Sequence, residues 1–340
     1  MGRLERTMLT GGVVLAEAVT QGREPSTKAL SSGHSARFSV ILATKGRPRS
    51  LRDALESAAR ALPADGELIV VDGDLKCSAD NVVRRVRRWH PDTDITYVCS
   101  DPGLTLQRNM GIDAASGDVV VFIDDDCTVE ATLFEVLRSV YRDPTVIGAT
   151  GRIEGPSRDR LGNNPHSRLR WLLLGGGREG SMSSFGFRCP IVDVAQGRDV
   201  EFMPGPFMSA RREVAAQVRF DEQLTGYCLC EDDDFAYRLS RLGRIRYEPS
   251  AVVNHHEVGW GQRDRRQMDR LQVVNRFYLF RKNFAQTLRA KAGFTALLVL
   301  LFAHRALNRE WSGLRGLVDG LRQMRSSALR LEASRNQRTA

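Results

Sequence analysis

Four apolar runs, each closing on polar residues and each followed by a helix-like stretch, most constrain this fold: FSVILATKG (38–46), ELIVVDGD (67–74), DITYVCS (94–100) and DVVVFIDDD (118–126). Their cores are continuously apolar rather than alternating, as strands covered on both faces are. The segments between them have helical spacing. In SLRDALESAARAL, Leu51, Ala54, Leu55, Ala58 and Leu62 fall on one face behind Ser50 as cap. SADNVVRRVRRWH, LTLQRNMGIDAAS and ATLFEVLRSVYRD read the same way. Strands alternating with helices predict an α/β fold with a largely parallel sheet and helices on both faces. Right-handed crossovers gather the carboxyl ends of the strands on one edge, where open α/β sheets bind ligands. Thr44 and Lys45, Asp72 and Asp74, and the triplet Asp124, Asp125 and Asp126 all arrive there.

Three carboxylates crowded at a strand end repel one another, a cost that a divalent cation removes; the alternative is a solvated acidic loop. Hard oxygen donors with room for a substrate diphosphate suit Mg²⁺ or Mn²⁺. If strand geometry continues, Asp124 and Asp126 point one way and Asp125 the other, so that one can bind the sugar of a nucleotide while the other ligates metal. A second acid cluster, Glu231, Asp232 and Asp233, opens EDDDFAYRLSRLG, where negative charge also suits a helix start. Asp232 is the candidate general base. His255, closing the strand IRYEPSAVVNHH with His256, is a candidate metal ligand or phosphate donor, and Arg108 a candidate diphosphate contact.

The second half is less regular. Residues 155–200 read as a long loop, with LRWLLLGGG as a short helix, and 265–330 as amphipathic helices carrying the stripe Trp311, Leu314, Leu317, Leu321 and Met324. From Trp260 onward there are 17 Lys and Arg against 5 Asp and Glu, so the overall charge of +9 is a C-terminal property. This tail lacks the interleaved aromatics that stack bases, so no nucleic-acid partner is expected; an anionic membrane surface fits it better. The apolar run 293–303 is about half the roughly 20 residues needed to span a bilayer. It reads either as an interfacial helix or as a helix buried on the main domain. Six cysteines without zinc-type spacing or a small-domain disulfide pattern favour a reducing cytosol. Residues 1–36 read as a flexible leader with no secretory signal. The chain lacks a dinucleotide G-x-G-x-x-G, a P-loop and a G-x-S-x-G elbow, which argues against those three enzyme classes.

From about residue 38 to 256 the chain resembles the family 2 glycosyltransferases. The segments that carry the resemblance are FSVILATKGRP, ELIVVDGD, GLTLQRNMGIDAASGDVVVFIDDDC and FDEQLTGYCLCEDDDFAYRLSRLGRIRYEPSAVVNHH, in the family's order and spacing. The resemblance implies a GT-A-type, Rossmann-like mixed sheet with helices on both faces, plus a C-terminal helical extension. It divides the chain into a nucleotide-binding half (37–130), an acceptor half (131–260) and a basic extension (261–340). It implies inverting transfer from a nucleotide-diphosphate sugar to a hydroxyl of a sugar or lipid-linked acceptor, in polysaccharide or glycolipid synthesis. Thr44, Lys45, Asp72, Asp74, Arg108, Asp124 and Asp125 would bind the donor nucleotide. Asp126, Asp124 and His255 would hold Mg²⁺ or Mn²⁺, and Asp232 would be the base. Gly205, Phe207, Met208 and Glu231 would line the acceptor side. Asp72 is followed by Gly73 and then Asp74, so either acid can be the reader of the nucleobase. The implied location is the cytoplasm, with peripheral contact to the inner face of the cell membrane. Two other readings stand beside this one. FIDDDCTVE fits the first motif of haloacid-dehalogenase-like phosphatases, with Asp124 as nucleophile, Asp126 as acid and Thr128 on the phosphate, although the later metal motif is out of order. The basic tail also admits a non-catalytic protein that binds anionic surfaces.

Overall fold

The computed structural model describes residues 35–156, 178–191, 194–225, 228–256 and 264–336. Among the described residues a nine-stranded mixed sheet runs in the order β3-β2-β1-β4-β8-β6-β9-β5, where β5 is Cys127–Val129 and β7 (Arg198–Val200) pairs with β9. The expected strands are present: β1 (Phe38–Thr44), β2 (Glu67–Asp72), β3 (Asp94–Cys99) and β4 (Val119–Ile123). These four are mutually parallel, joined through α1 (Pro48–Ala61), α2 (Asp80–Trp89) and α3 (Leu104–Ala114). Helix α1 begins at a proline, whose fixed φ suits a first turn, and not behind Ser50 as the pattern suggests. Beyond β4 the sheet changes direction. β8 (Phe207–Arg211) pairs antiparallel with β4 and with β6 (Val146–Glu154), and β9 (Arg244–His255) runs parallel to β6.

Strand alternation builds two cores, one on each face of the sheet. Val119, Val121 and Ile123 pack with Phe38, Val40, Leu42 and Phe134 under α1, α2 and α4 (Leu133–Val140). Val120 and Phe122 face the other way, towards α3, α5 (Arg212–Val218) and α6 (Glu231–Ser240). There Phe122 meets Phe220 and Phe235 edge-on, at 5.2 and 5.9 Å between ring centres. Gly111 lets α3 lie against β1, since a Cβ there would fall 2.4 Å from Ile41 Cγ2.

Three further helices follow: α7 (Arg265–Asn283), α8 (Leu288–Leu307) and α9 (Trp311–Asn336). The expected boundary at residue 260 falls within 257–263, outside the described residues, as do the leader up to residue 34 and LRWLLLGGG. Helix α7 is bound tightly to the sheet domain. Lys282 Nζ reaches Asp221 (2.6 Å) and Asp234 (3.0 Å), Asn283 donates to Asp234 (2.8 Å), and Asn275 donates to the Leu229 carbonyl (2.8 Å). Of the apolar stripe expected on α9, Leu317 is buried whereas Trp311 is 64% exposed. The close contact with α7 is made by Gly316 and Gly320, where a Cβ would strike the Arg266 carbonyl and Val273. Hydrophobic spacing does not register glycines used for their lack of a side chain.

Cysteine spacing carries no sign of one bond that the fold makes. Cys77 and Cys99 form a disulfide, 22 residues apart in the chain. Helix α2 lies between them, and only the pairing of Asp72 with Cys99 across β2 and β3 brings them together. Cys228 and Cys230 are buried, as expected of small apolar side chains.

Candidate active site

The strand ends converge as the alternating pattern requires. Asp124 and Asp125 diverge: Asp124 Oδ1 accepts from Arg108 Nη2 at 2.9 Å on the α3 side, while Asp125 Oδ2 accepts from Thr44 Oγ1 at 2.7 Å and Oδ1 from Arg47 Nη1 at 3.2 Å on the α1 side. The strand has ended by Asp126. The chain turns there, and Asp126 Oδ1 lies 3.3 Å from His255 Nε2 at the end of β9. The three acids are thus shared among Arg108, Arg47 and His255, and Asp126 also lies 3.7 Å from Arg47. Burial pushes the Asp125 carboxyl up to about 6 against the pull of Thr44 and Arg47. It also raises Asp124, which Arg108 opposes.

A carboxylate oxygen of Asp126, the His255 imidazole and the Cys127 sulfur lie within 4.8 Å of one another. Cys127 is fully buried and packs in the core as an apolar side chain, and burial pushes its thiol up. What is left, a carboxylate and an imidazole with Asp124 close by, suits Mg²⁺ or Mn²⁺ better than a thiophilic ion. Thr128 turns to His256, with its Oγ1 3.0 Å from His256 Nε2, rather than towards Asp124.

Arg108 is neither a surface residue nor an open anion site. Its side chain is 3% exposed, and it donates to Asp124 and to Gly205 O (3.1 Å) from Nη2 and to Glu231 (3.0 Å) from Nη1. This guanidinium joins the β4 end to the α6 start. Asn109 beside it ties α3 to the segment between α5 and α6, accepting from Phe220 N (2.8 Å) and donating to Glu222 (2.7 Å). The Arg-Asn pair and the FDE and ED strings, distant in the chain, are therefore in contact. Arg108→Met leaves two carboxylates without their buried partner. It should cost about 3–5 kcal/mol, read as a lower urea midpoint; a loss below about 1 kcal/mol would show that water replaces the guanidinium.

Glu231 and Asp232 open α6 behind Cys230, whose backbone is left-handed (φ 76°). Asp232 Oδ2 accepts from Arg188 Nη2 (2.6 Å) and from Gly205 N (2.8 Å). Asp233 is held by Arg188 and by Arg276 of α7 (2.6 Å). The two neighbours are driven apart. Burial and the Asp232 charge push Glu231 up, with Arg108 opposing. Burial works the same way on Asp232, but Arg188 and then Arg108 outweigh it and hold Asp232 below the usual carboxylate range.

Other expected residues fall differently. Asp72 is fully buried, and accepts from Asp74 N (2.9 Å), Ala79 N (2.9 Å) and Tyr97 OH (2.9 Å), so it shapes the loop after β2. Asp74 and Lys45 lie at the surface of the same edge. Phe207 and Met208 correct the acceptor-side expectation: both are 0% exposed, one in each core. Gly205 does lie at the site, linking Arg108 to Asp232 through its carbonyl and amide. Gln107, Arg47 and Arg188 were not anticipated. Gln107 ties β1 to β2 by donating to the Thr44 and Val71 carbonyls (2.8 Å each), a role no local pattern announces. Arg47 stands in the expected loop after β1, whereas Arg188 comes from the long irregular segment.

The geometry coincides with a recognised family. Residues 39–219, more than half of the chain, match the model of Glycosyl transferase family 2. The chain belongs to that family. It is 29% identical over 248 residues to the pre-mycofactocin glycosyltransferase of Mycobacterium tuberculosis (strain CDC 1551 / Oshkosh), covering 72% of this chain and 46% of that protein. It is 31% identical over 139 residues to the succinoglycan biosynthesis protein ExoM of Rhizobium meliloti (strain 1021), covering 40% and 42%. The chain thus spans less than half the length of these curated relatives. In fold it is similar to the mannosyltransferase PcManGT from Pyrobaculum calidifontis, solved with GDP-Man and Mn²⁺, at a TM-score of 0.58, with 18% identity over 86% of this chain and 88% of that one. GalNAc-T7, solved with UDP, GalNAc and Mn²⁺, gives a TM-score of 0.50 at 16% identity over 65% and 43%. These neighbours share the GT-A fold, and family membership replaces the phosphatase reading.

Proposed function

We propose that the protein transfers a sugar from a nucleotide-diphosphate sugar to a hydroxyl of a saccharide or lipid-linked acceptor, with inversion, in polysaccharide or glycolipid synthesis. The observation that carries this is the pairing of two acid sites around one ring of contacts. Asp126 with His255 lies at the β4 end, Asp232 at the α6 start, and Arg108 and Gly205 stand between them. The nucleotide lies over the sheet edge formed by Thr44, Lys45 and Asp74, with Asp74 as reader of the base because Asp72 is engaged within its loop. Asp124 and Asp125 border that edge, and Glu231 stands on the acceptor side beside Asp232. Asp126 and His255, with Asp124 beside them, would hold Mg²⁺ or Mn²⁺, which supplies positive charge for the diphosphate when bound; the fold neighbour carrying GDP-Man and Mn²⁺ supports this choice. In a single displacement the acceptor oxygen bonds to the anomeric carbon as the bond to the nucleoside diphosphate breaks. Asp232 takes the hydroxyl proton.

A screen of nucleotide sugars with Mn²⁺ or Mg²⁺, scored by nucleoside diphosphate release, tests the reading. Acceptor-dependent release from one donor is expected. Orthophosphate release from a simple phosphoester, with every sugar nucleotide left intact, would overturn it.

The Arg188 contact predicts a pH effect. A base works when deprotonated, so activity falls as pH drops through its pKa, and a lowered pKa moves that loss to lower pH. Removing the positive charge in Arg188→Gln should move the acidic limb of kcat/KM to higher pH. An unmoved limb would separate Arg188 from the ionisation that governs transfer.

A further inference from the structure

Helix α8 has two unlike faces. Ala290, Phe294 and Leu297 are buried against Phe187 and Phe280, which fixes the helix to the body of the protein. The opposite face carries Leu288, Ala292, Ala296, Val299, Ala303 and Leu307, spaced three or four apart and all exposed. Leu288 and Leu307 are 87% and 84% exposed and Val299 is 61% exposed. This uncharged stripe runs the whole length of a 20-residue helix, about 30 Å at 1.5 Å per residue. The helix holds no Asp or Glu; Arg289 and Lys291 stand exposed near its start, His304 and Arg309 at its end, and Trp311 follows.

We infer that this outward face of α8 docks the protein onto an anionic lipid bilayer, lying in the interface. An apolar stripe rimmed by cations and closed by a tryptophan matches such a surface in depth and in charge. By length and composition α8 could cross a membrane, but Ala290, Phe294 and Leu297 are fastened to Phe187 and Phe280 on the body of the protein, and we place the helix on the surface. A second copy of the chain is the poorer occupant. The region after residue 259 carries 17 basic against 5 acidic residues, and two such surfaces repel. The contact also bears on the acceptor side. Phe187, packed on α8, immediately precedes Arg188, which holds Asp232. The docked helix and the carboxylate of the proposed base therefore share one loop, and an acceptor presented from the membrane would arrive beside it.

The test is co-sedimentation of the full chain with vesicles, which needs no turnover and so stands or falls apart from the transfer reaction. Phosphatidylcholine vesicles containing about a third phosphatidylglycerol should pellet the protein, and 0.5 M salt should weaken this (screening over about 4 Å). Val299→Glu/Ala303→Glu, with its circular dichroism and melting unchanged, should lower partitioning at least about tenfold, and Arg289→Glu/Lys291→Glu should reduce it on anionic vesicles alone. Wild type that stays in the supernatant, or the first double variant pelleting as well as wild type, overturns the inference. So does a lipid-free dimer by analytical ultracentrifugation that this variant turns into a monomer, because the face would then belong to a second copy. A lowered melting temperature in the same variant would overturn it too, by showing that the face is covered within the chain.

Discussion

Asp232→Asn should bind the donor with near wild-type affinity and lose transfer by about 10²–10⁴-fold, the range expected when a general base is removed. The substitution keeps size and shape. An amide oxygen can still accept from Gly205 N, now 2.8 Å from Asp232 Oδ2, and Asp233 continues to hold Arg188. What disappears is the capacity to take a proton. Titration calorimetry with the donor and Mn²⁺, beside steady-state rates over acceptor concentration, separates the two effects. Donor affinity unchanged with kcat lost assigns Asp232 to the proton; unchanged turnover would exclude it and turn attention to Glu231. In the wild type, burial and the adjacent Asp232 charge push the Glu231 carboxyl up, and Arg108 opposes them. Two adjacent acids with opposed environments are a recurrent way of dividing such roles.

Asp126→Ala should fail at an earlier step. It removes the carboxylate 3.3 Å from His255 Nε2 and leaves His255 and Asp124 as the remaining donors to a cation. Metal-dependent strengthening of donor binding should vanish, and transfer should fall by on the order of 10²–10³-fold, the scale of one lost electrostatic contact to a developing anion. The side chain is 5% exposed and belongs to a turn, not to the packed strand, so folding should survive, as circular dichroism would check. The decisive measurement is donor affinity with and without Mn²⁺. A variant whose affinity still rises with Mn²⁺ to the wild-type extent would move the cation site off Asp126. Together the variants differ in kind: one loses donor binding, the other loses only chemistry.

How much of this is legible in the sequence depends on the range of the interactions. Strand ends at Thr44, Asp72 and Ile123 follow from local apolar runs, since each run spends itself in the core and stops where polar residues begin. The opposed directions of Asp124 and Asp125 follow from strand alternation. Asp126 departs from it because a turn replaces the strand. Phe207 and Met208 were misplaced because a motif beside a site can be core on both faces of its strand. Asp72 looked free because nothing local announces that Tyr97, 25 residues on, will donate to it. The Cys77–Cys99 bond and the Arg188–Asp232 pair escaped for the same reason, as chance-looking residues far apart in the chain.

By itself the sequence determined the parallel βα half, the edge at which its strands end, the two acid clusters and the basic character of the last third. Each follows from periodicity or composition within a few tens of residues. Only the tertiary structure decided which acid faces which basic side chain, that Arg108 is a buried bridge between the two clusters, that α7 is fastened to the sheet domain beside α6, and that one side of α8 is exposed. Ion pairs and close helix contacts depend on distances between segments a hundred or more residues apart, and no local pattern carries those distances.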